Sequence, residues 1–347
     1  MKLHKLTKYL ETIAPLSYQE SYDNAGLIVG DSNTTIKGVL VCLDSTEDIV
    51  EEARKRKCNV IIAHHPIVFK GLKRFNGNSY VERTIMKAIK YDICIYAIHT
   101  NLDNVYRNGV NTKIAEKLRL NHLELLSPKN NMVKLEFYLS PQQIQAFQKV
   151  SSKKEIPASL SKVHSMLAVA NQANNEAAEM KYETILAQNE VSEILSYVQK
   201  STGSDDFSYH TYPTTETNQM VGSGMVGTLS KPILAETFFN RLKKSMDLTG
   251  FRHTAITTKK VQKIAICGGA GGFLLSKAIR AGADVFITSD YKYHEFFDAD
   301  GKIIIADIGH YESEQYTIDL LHGLITKKFS NFATHCTKIS TNPVFYY

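Results

Sequence analysis

Two adjacent histidines, His64 and His65, lie at the end of the apolar run IIAHHPIVF. The proline that follows them cannot continue a central strand, so the two imidazoles mark a strand exit. Because the chain turns at a strand exit, neighbouring side chains there need not point to opposite faces. Two adjacent imidazoles in this position can approach two metal ions about 3.5–4 Å apart. This pair is the first indication of a metal site.

Two further segments contain the same kinds of ligand. AIHTNLD contains His99 and Asp103, and GHYESE contains His310 and Glu314. His310 and Glu314 are four residues apart, so a helix that begins at His310 would place both on one face. Together the three segments offer more ligands than a structural tetrahedral site needs, and they suit a dinuclear site with a bridging carboxylate.

Short apolar runs precede each of these segments and are predicted to be strands. They cover residues 38–43, 59–63 and 93–98 in the first third and residues 263–267, 284–287 and 302–306 in the last third. Helical patterns alternate with them, one beginning at a possible capping box from Ser45 to Asp48 and another over residues 80–90. Buried strands that alternate with helices indicate parallel βαβ units, in which ligands bind beyond the carboxyl ends of the strands. We therefore expect an α/β fold of two related halves packed together.

The middle of the chain has a different composition. Arginine is absent from residues 120–240, and residues 129–221 contain eight lysines and ten carboxylates, a net charge of −2. Strand and helix patterns such as MVKLEFYLS and PQQIQAFQKVSS surround a polar stretch, NQANNEAAEM. Two strand–helix units match a ferredoxin-like α+β module. The predicted domains are 1–127, an insert at 128–221, and 222–347; the alternative is an irregular elaboration of one large domain.

Bulk composition excludes several classes of protein. Among the 347 residues no apolar run approaches the roughly 20 needed to span a bilayer, and the N-terminus has the pattern of an amphipathic helix rather than a signal peptide. Five cysteines without a C-x-x-C pair indicate reduced core residues, so we expect a cytoplasmic protein. A net charge of +6 falls short of the clustered basic surface of a nucleic-acid-binding protein.

Two glycine motifs and several cations are weaker signals. GSGMVG at residues 222–227 fits G-x-G-x-x-G but does not open a βαβ unit, so a turn or a glycine-rich strand is expected. GGAGG at residues 268–272 follows a strand and could either bind an anion or form a tight turn. Three cations near the candidate metal segments could bind a substrate phosphate or be ordinary surface charges. They are Lys70, Arg74 and Lys292.

Five motifs follow one another along the chain: YDNAGLIVGD, IIAHHPIVF, AIHTNLD, ITSDYKYHE and GHYESE. In this order they resemble the NGG-interacting-factor-three-like family, many of whose members are called GTP cyclohydrolase 1 type 2 homologs. The central module resembles the PII-like insert of the longer members. The resemblance is clearest at the end of the module, DDFSYHTYPTT. Two features depart from the family pattern. Tyr22 stands where the family usually has tryptophan, and NQANNEAAEM replaces a segment rich in glycine and phenylalanine.

The resemblance implies a dinuclear site for divalent zinc, iron, manganese, cobalt or nickel, with Glu314 as the bridge. The ligands that it implies are His64, His65, Asp103, His310 and Glu314.

The same resemblance implies a homohexameric ring with the metal sites facing its interior. Two functions follow from it. One is a metal-dependent hydrolase of a small anionic, nucleotide-like or phosphorylated substrate, with His99 and His294 transferring protons. The other is a non-enzymatic metal-binding regulator or interaction scaffold.

Overall fold

The computed structural model describes residues 1–151, 164–169 and 179–345. It divides into two compact units, Met1–Pro128 with Gln219–Tyr347, and Lys129–Asn218. Three sheets and numerous helices confirm the predicted mixed α/β class. The polar stretch noted at residues 171–180 lies outside the described residues except for its last two positions.

A five-stranded sheet in the first unit contains the strands that precede His64 and His99. Its strands are β1 (Gly26–Val29), β2 (Gly38–Cys42), β3 (Val60–Ala63), β4 (Cys94–Ala97) and β15 (Ala333–Cys336). In the order β1-β4-β3-β2-β15, the last four are parallel and β1 is antiparallel to β4. Val41 and Leu40 face different apolar clusters. Burial on both faces explains why these strands are continuous apolar runs.

A six-stranded sheet carries the strands that precede His310. Its strands are β5 (Asn121–Lys129), β10 (Asn218–Leu234), β11 (Arg252–His253), β12 (Lys260–Ile266), β13 (Val285–Thr288) and β14 (Ile304–Asp307). The order is β11-β14-β13-β12-β10-β5, with β12, β13 and β14 parallel, while β10 and β11 run antiparallel to their neighbours β12 and β14. GSGMVG lies inside β10, so the prediction of a glycine-rich strand is confirmed.

Helices lie between the two sheets and over their outer faces. Those of the first unit are α1 (Leu3–Ile13), α2 (Glu47–Lys55), α3 (Tyr80–Lys90), α4 (Thr100–Asp103), α5 (Val110–Leu118), α8 (Ala235–Met246), α9 (Leu275–Arg280), α10 (His310–Glu314) and α11 (Thr317–Lys328). Leu6 of α1, Phe238 of α8 and Leu321 of α11 are fully buried in one core with strand residues of both sheets. This shared core fixes the carboxyl ends of the two parallel sets relative to each other.

The second unit has its own sheet and core. It contains β6 (Met132–Leu139), β7 (His164–Val169), β8 (Glu179–Ala187) and β9 (Tyr209–Pro213), with helices α6 (Pro141–Ser151) and α7 (Val191–Thr202). The sheet order is β7-β8-β6-β9, and every pair is antiparallel. Phe137 stacks on Tyr182 with ring centroids 5.2 Å apart, and Ile194 and Val198 of α7 complete the core.

The cysteines and the helix lengths agree with the sequence analysis. Four of the five cysteines are buried and all five are free thiols. Within the described ranges, none of the helices combines the length and apolar character needed to cross a membrane.

Candidate metal centre

The two adjacent histidines leave β3 at its carboxyl end. The backbone N–H groups of His64 and His65 donate to the carbonyls of Cys42 and Leu43, at 3.2 and 2.9 Å, so the chain keeps pairing with β2 as it exits the sheet. The His64 side chain is fully buried, whereas that of His65 is 16% exposed. This local geometry turns both rings toward one cluster, with their centroids 4.9 Å apart.

The other two segments reach the same cluster, one from β4, the neighbour of β3, and one from β14 of the six-stranded sheet. β4 is followed by α4, which ends at Asp103, and β14 is followed by α10, which begins at His310. Gly309 precedes α10 with a φ of +93°, a conformation that favours glycine. The predicted helix therefore forms, and it places His310 and Glu314 one turn apart with a carboxylate oxygen 3.1 Å from Nε2.

Glu314 is the meeting point of the cluster. Its Oε2 atom lies 2.9 Å from Nε2 of His65, 3.1 Å from Nε2 of His310 and 3.8 Å from Nε2 of His64. Asp103 approaches from the far side, with Oδ1 3.5 Å from Nε2 of His64. Three groups of potential ligands among the described residues each have their ligand atoms within 4.8 Å of one another. Two of them share Glu314, namely His65–His310–Glu314 and His64–Asp103–Glu314, and the third is His64–His65–His99.

Carboxylates outside the cluster fix the orientation of two of these rings. Nδ1 of His65 lies 2.7 Å from Oδ1 of Asp44, and Nδ1 of His310 lies 2.6 Å from Oδ2 of Asp290. A ring that donates its Nδ1–H to a carboxylate presents the Nε2 lone pair to the cluster, which is the form that binds metal. Sequence reasoning did not identify these two aspartates, although both follow strands at the same sheet edges.

His64 has a different partner at the same ring position. Its Nδ1 lies 2.8 Å from the carbonyl oxygen of Ile98, the last apolar residue before AIHTNLD. The backbone carbonyl therefore fixes the tautomer that aspartates fix elsewhere.

His99 is oriented by a buried aspartate of the YDNAG motif. Its Nδ1 lies 2.7 Å from Oδ1 of Asp23, and the other oxygen of Asp23 accepts hydrogen bonds from the backbone N–H of Thr100, at 3.0 Å, and from the Thr100 hydroxyl. Burial alone would raise the pKa of Asp23, but the hydrogen bonds from His99 and Thr100 outweigh it and lower the pKa to about 2. The His99 ring lies 5.4 and 5.3 Å from those of His64 and His65.

The two carboxylates of the cluster and the histidines around them shift one another's pKa values. Burial lowers the pKa of His65, but its hydrogen bonds to Asp44 and Glu314 raise it to about 10. Burial and the nearby charge of Glu314 hold the pKa of Asp103 well above its usual range. The three histidines overcome the opposite effect of burial and hold the pKa of Glu314 well below its usual range. A cation bound between the carboxylates of Asp103 and Glu314 would stabilise the charged form of both.

Two buried atoms also lack a protein partner. Nε2 of His64 and Oδ1 of Asp103 make no hydrogen bond to any described residue. Leaving such a group unsatisfied costs about 1–3 kcal/mol. An imidazole nitrogen and a carboxylate oxygen are both atoms that bind metal ions, and both of these atoms face the cluster. A divalent cation therefore fits the residues present.

The GGAGG segment closes one side of the cluster as a turn. Three of its amides, those of Gly268, Gly269 and Gly271, donate to the side chains of Asn111, Ser313 and Thr288. Because these amides are already occupied, the tight-turn alternative describes them better than an anion cradle. A Cβ at Gly269, whose φ is +63°, would lie 2.5 Å from Oε1 of Glu314. Glycine here lets Glu314 reach the cluster.

A cavity of about 1340 Å³ gives access to the cluster. His65, His99, Asp103, His310 and Glu314 all line it.

The remaining predicted site residues lie elsewhere. His294 is exposed and contacts the Tyr293 ring, and it is not part of the described cavity lining. Lys70, Arg74 and Lys292 are also exposed and outside that lining. The structure thus brings together the predicted residues at the ends of strands. The residues that were predicted only because they are near these segments in sequence lie outside the cavity lining. The roles of all four stay predictions.

Comparisons with known proteins find one matching family and several relatives of this chain. A family model described as Duf34/NIF3 (NGG1p interacting factor 3) matches residues 1–343. A Bacillus subtilis protein named GTP cyclohydrolase 1 type 2 homolog is 30% identical over 327 residues, covering 88% of this chain and 87% of the relative. A Staphylococcus epidermidis protein of the same name is 28% identical, with both chains covered completely.

Solved structures of related proteins are also similar to this chain over its whole length. A Bacillus cereus protein related to NIF3 is 28% identical, with a TM-score of 0.81 over 100% of this chain and 99% of that one. A Staphylococcus aureus protein is also 28% identical, with a TM-score of 0.82 and the same coverage.

Proposed function

The chain belongs to the Duf34/NIF3 family, and from this premise we propose that it is a metal-dependent hydrolase of a small nucleotide-like substrate, with two divalent ions at the Glu314 cluster. The convergence of three histidine Nε2 atoms within 3.8 Å of one carboxylate oxygen carries this proposal. The name of the relatives, GTP cyclohydrolase 1 type 2 homolog, supports a hydrolytic reaction on a purine-like ring.

Two ions fit because two ligand groups share one carboxylate. His65 and His310 would bind one ion, His64 and Asp103 would bind the other, and Glu314 would bridge them. Nitrogen and oxygen ligands leave zinc, iron, manganese, cobalt and nickel as suitable metals. Cys267 also lines the cavity, but it belongs to none of the groups of described residues whose ligand atoms converge.

His99 is the proposed proton carrier of the reaction. When bound, the ions would activate water as a nucleophile and stabilise developing negative charge. His99 lines the cavity beside His64 and His65 without belonging to the proposed ligand set. Asp23 holds its Nδ1, so Nε2 is free to accept a proton from the nucleophile and to return it to the leaving group.

A substrate screen of metal-loaded protein tests the proposal. We expect hydrolysis of at least one member of a panel of GTP, other nucleotides and their nucleosides and phosphoesters. Glu314→Gln should abolish it, and His99→Ala should lower kcat by about 10²–10⁴-fold. His294→Ala tests the second predicted proton carrier, whose exposed side chain lies outside the described cavity lining.

Two results would contradict the hydrolase. Turnover that persists in Glu314→Gln would indicate a contaminating enzyme. No turnover across the panel, together with ligand-dependent binding of another protein, would favour the regulatory scaffold.

We further propose that the two sheets of the first unit are related halves, that the second unit is a PII-like insert, and that copies assemble into a toroidal hexamer. Three parallel strands followed by site residues in each sheet support the first point. The hexamer rests on the family resemblance. Light scattering of the full chain should give six times its mass of 39.0 kDa, and a stable monomer would disprove it.

A further inference from the structure

Four aromatic side chains of the cavity lining are unusually exposed for groups of their size. Tyr22, Phe69, Tyr80 and Phe273 are 67%, 51%, 59% and 69% exposed. The Phe69 ring contacts the His99 ring edge-on, with centroids 5.5 Å apart. Exposed aromatic faces next to a candidate reactive centre offer a planar ring a surface on which to stack.

The same lining carries mostly negative charge. Seven carboxylates line the described part of the cavity, and Arg252 is the only lysine or arginine among these residues. Its guanidinium is paired with Asp307 and donates to a backbone carbonyl at 3.0 Å. With two divalent ions bound, seven negative charges would still face five positive ones, a formal charge of −2. A ligand with several phosphates would meet net repulsion there.

We propose that this site takes a planar aromatic heterocycle that is uncharged or cationic, stacked on exposed aromatic rings of the lining such as Phe69 or Phe273, and that it discriminates against phosphorylated forms of the same ring. The inference rests on the proposed hydrolase function and narrows its substrate from nucleotide-like to nucleoside-like or base-like. Lys70, Arg74 and Lys292 lie outside the described cavity lining, and that lining contains no lysine that could bind a phosphate group. Both observations agree with a preference for an unphosphorylated ligand.

Equilibrium dialysis of the full-length, metal-loaded protein tests the charge argument with guanosine, guanosine monophosphate and GTP. We expect guanosine to bind most tightly, about tenfold more tightly than GTP at low salt. The difference should shrink at physiological ionic strength, where charges more than about 8 Å apart are screened. Metal content, measured in the same samples, identifies any nucleotide that strips the ions. The reverse order of affinities, or no binding of any of the three, would overturn the inference.

Substitutions of the ring residues test the stacking argument. Phe69→Ala and Phe273→Ala should each weaken guanosine binding about tenfold, as expected for loss of one stacked ring, and should leave the metal content unchanged. Phe75→Ala is the matched control, because Phe75 is 56% exposed near Phe69 in sequence but does not line this cavity. Unchanged guanosine binding in both cavity variants would also overturn the inference.

The two proposals fail in different ways. A protein that binds guanosine in the expected order but hydrolyses nothing would refute the hydrolase and retain the ligand class. Turnover of GTP with GTP as the tightest ligand would retain the hydrolase and refute the ligand class.

Discussion

Glu314 combines complete burial with contacts to three histidines, which makes it the residue that most directly tests the centre. We expect Glu314→Gln to lose at least one of two bound ions, because an amide offers a single neutral oxygen to two positive centres. Elemental analysis after dialysis measures the loss. Glu312→Gln is the control, since Glu312 lies on the same short helix but accepts a hydrogen bond from Asn342 outside the cluster. Two ions per chain in Glu314→Gln would remove it from the ligand set.

Asp23 supports a second prediction, about acid stability. Its pKa is lowered to about 2 in the folded chain, so the carboxylate stabilises the fold above its unfolded pKa of about 4. This contribution, about 2 kcal/mol at neutral pH, is lost as the pH falls from about 4 to about 2.

Asp23→Asn tests the sign of that effect. The variant should be less stable than the natural chain by about 1–2 kcal/mol at pH 7, and the difference should largely disappear near pH 2. Urea unfolding at several pH values measures it. A difference that grows as the pH falls would contradict the assigned role of Asp23.

At the residue scale, the sequence contains the candidate ligands but not their partners. His64, His65 and His310 follow apolar runs, so their position beyond the carboxyl ends of parallel strands could be predicted. Asp44 and Asp290 could not be assigned to particular histidines, because each follows the strand before that of its histidine and the apolar pattern of two strands does not fix which side chains meet beyond their ends. His294 stands in a motif near the centre, yet the turn after β13 leaves it exposed.

At the scale of elements, the turn after β12 supports a prediction with a control a few residues away. Gly269→Ala would place a methyl group against Glu314 and force a left-handed φ on alanine. We expect metal loss and a decrease of about 1–2 kcal/mol in the free energy of unfolding. Gly272→Ala should change neither by much, because its nearest neighbour would be 3.8 Å away. Equal effects of the two substitutions would show that Gly269 does not act through Glu314.

The parallel strands with continuous apolar runs were predictable, whereas β15, which is also parallel, and most of the antiparallel strands beside them were not. β2, β3, β4, β12, β13 and β14 are buried apolar runs, and all six match predicted positions. β1, β5 and β11 have no such run, and β1 lies in a stretch rich in turn residues. The cap of α2 was predicted one residue early. Thr46 accepts the hydrogen bond from the Ile49 N–H, whereas the Ser45 hydroxyl is buried without a partner among the described residues.

At the scale of the whole molecule, the first unit has everything the centre needs. Every cluster residue and every described residue of the cavity lining belongs to residues 1–128 or 219–347. The second unit has a separate core built on Phe137. The strand that leads into the insert, β5, lies beside β10, and the backbone of Ser127 is in close contact with Gly222. A short connection can therefore join the chain on either side of the insert.

This arrangement predicts that residues 129–218 can be replaced by a short glycine–serine linker without loss of the metal centre. We expect the shortened chain to fold, because its shared core stays complete, and to bind as many ions as the full chain. Circular dichroism and elemental analysis measure the two properties. Glu314→Gln in the shortened chain is the control that assigns the bound metal to the cluster. A folded but metal-free product would show that the second unit contributes to the centre, which none of its described residues does.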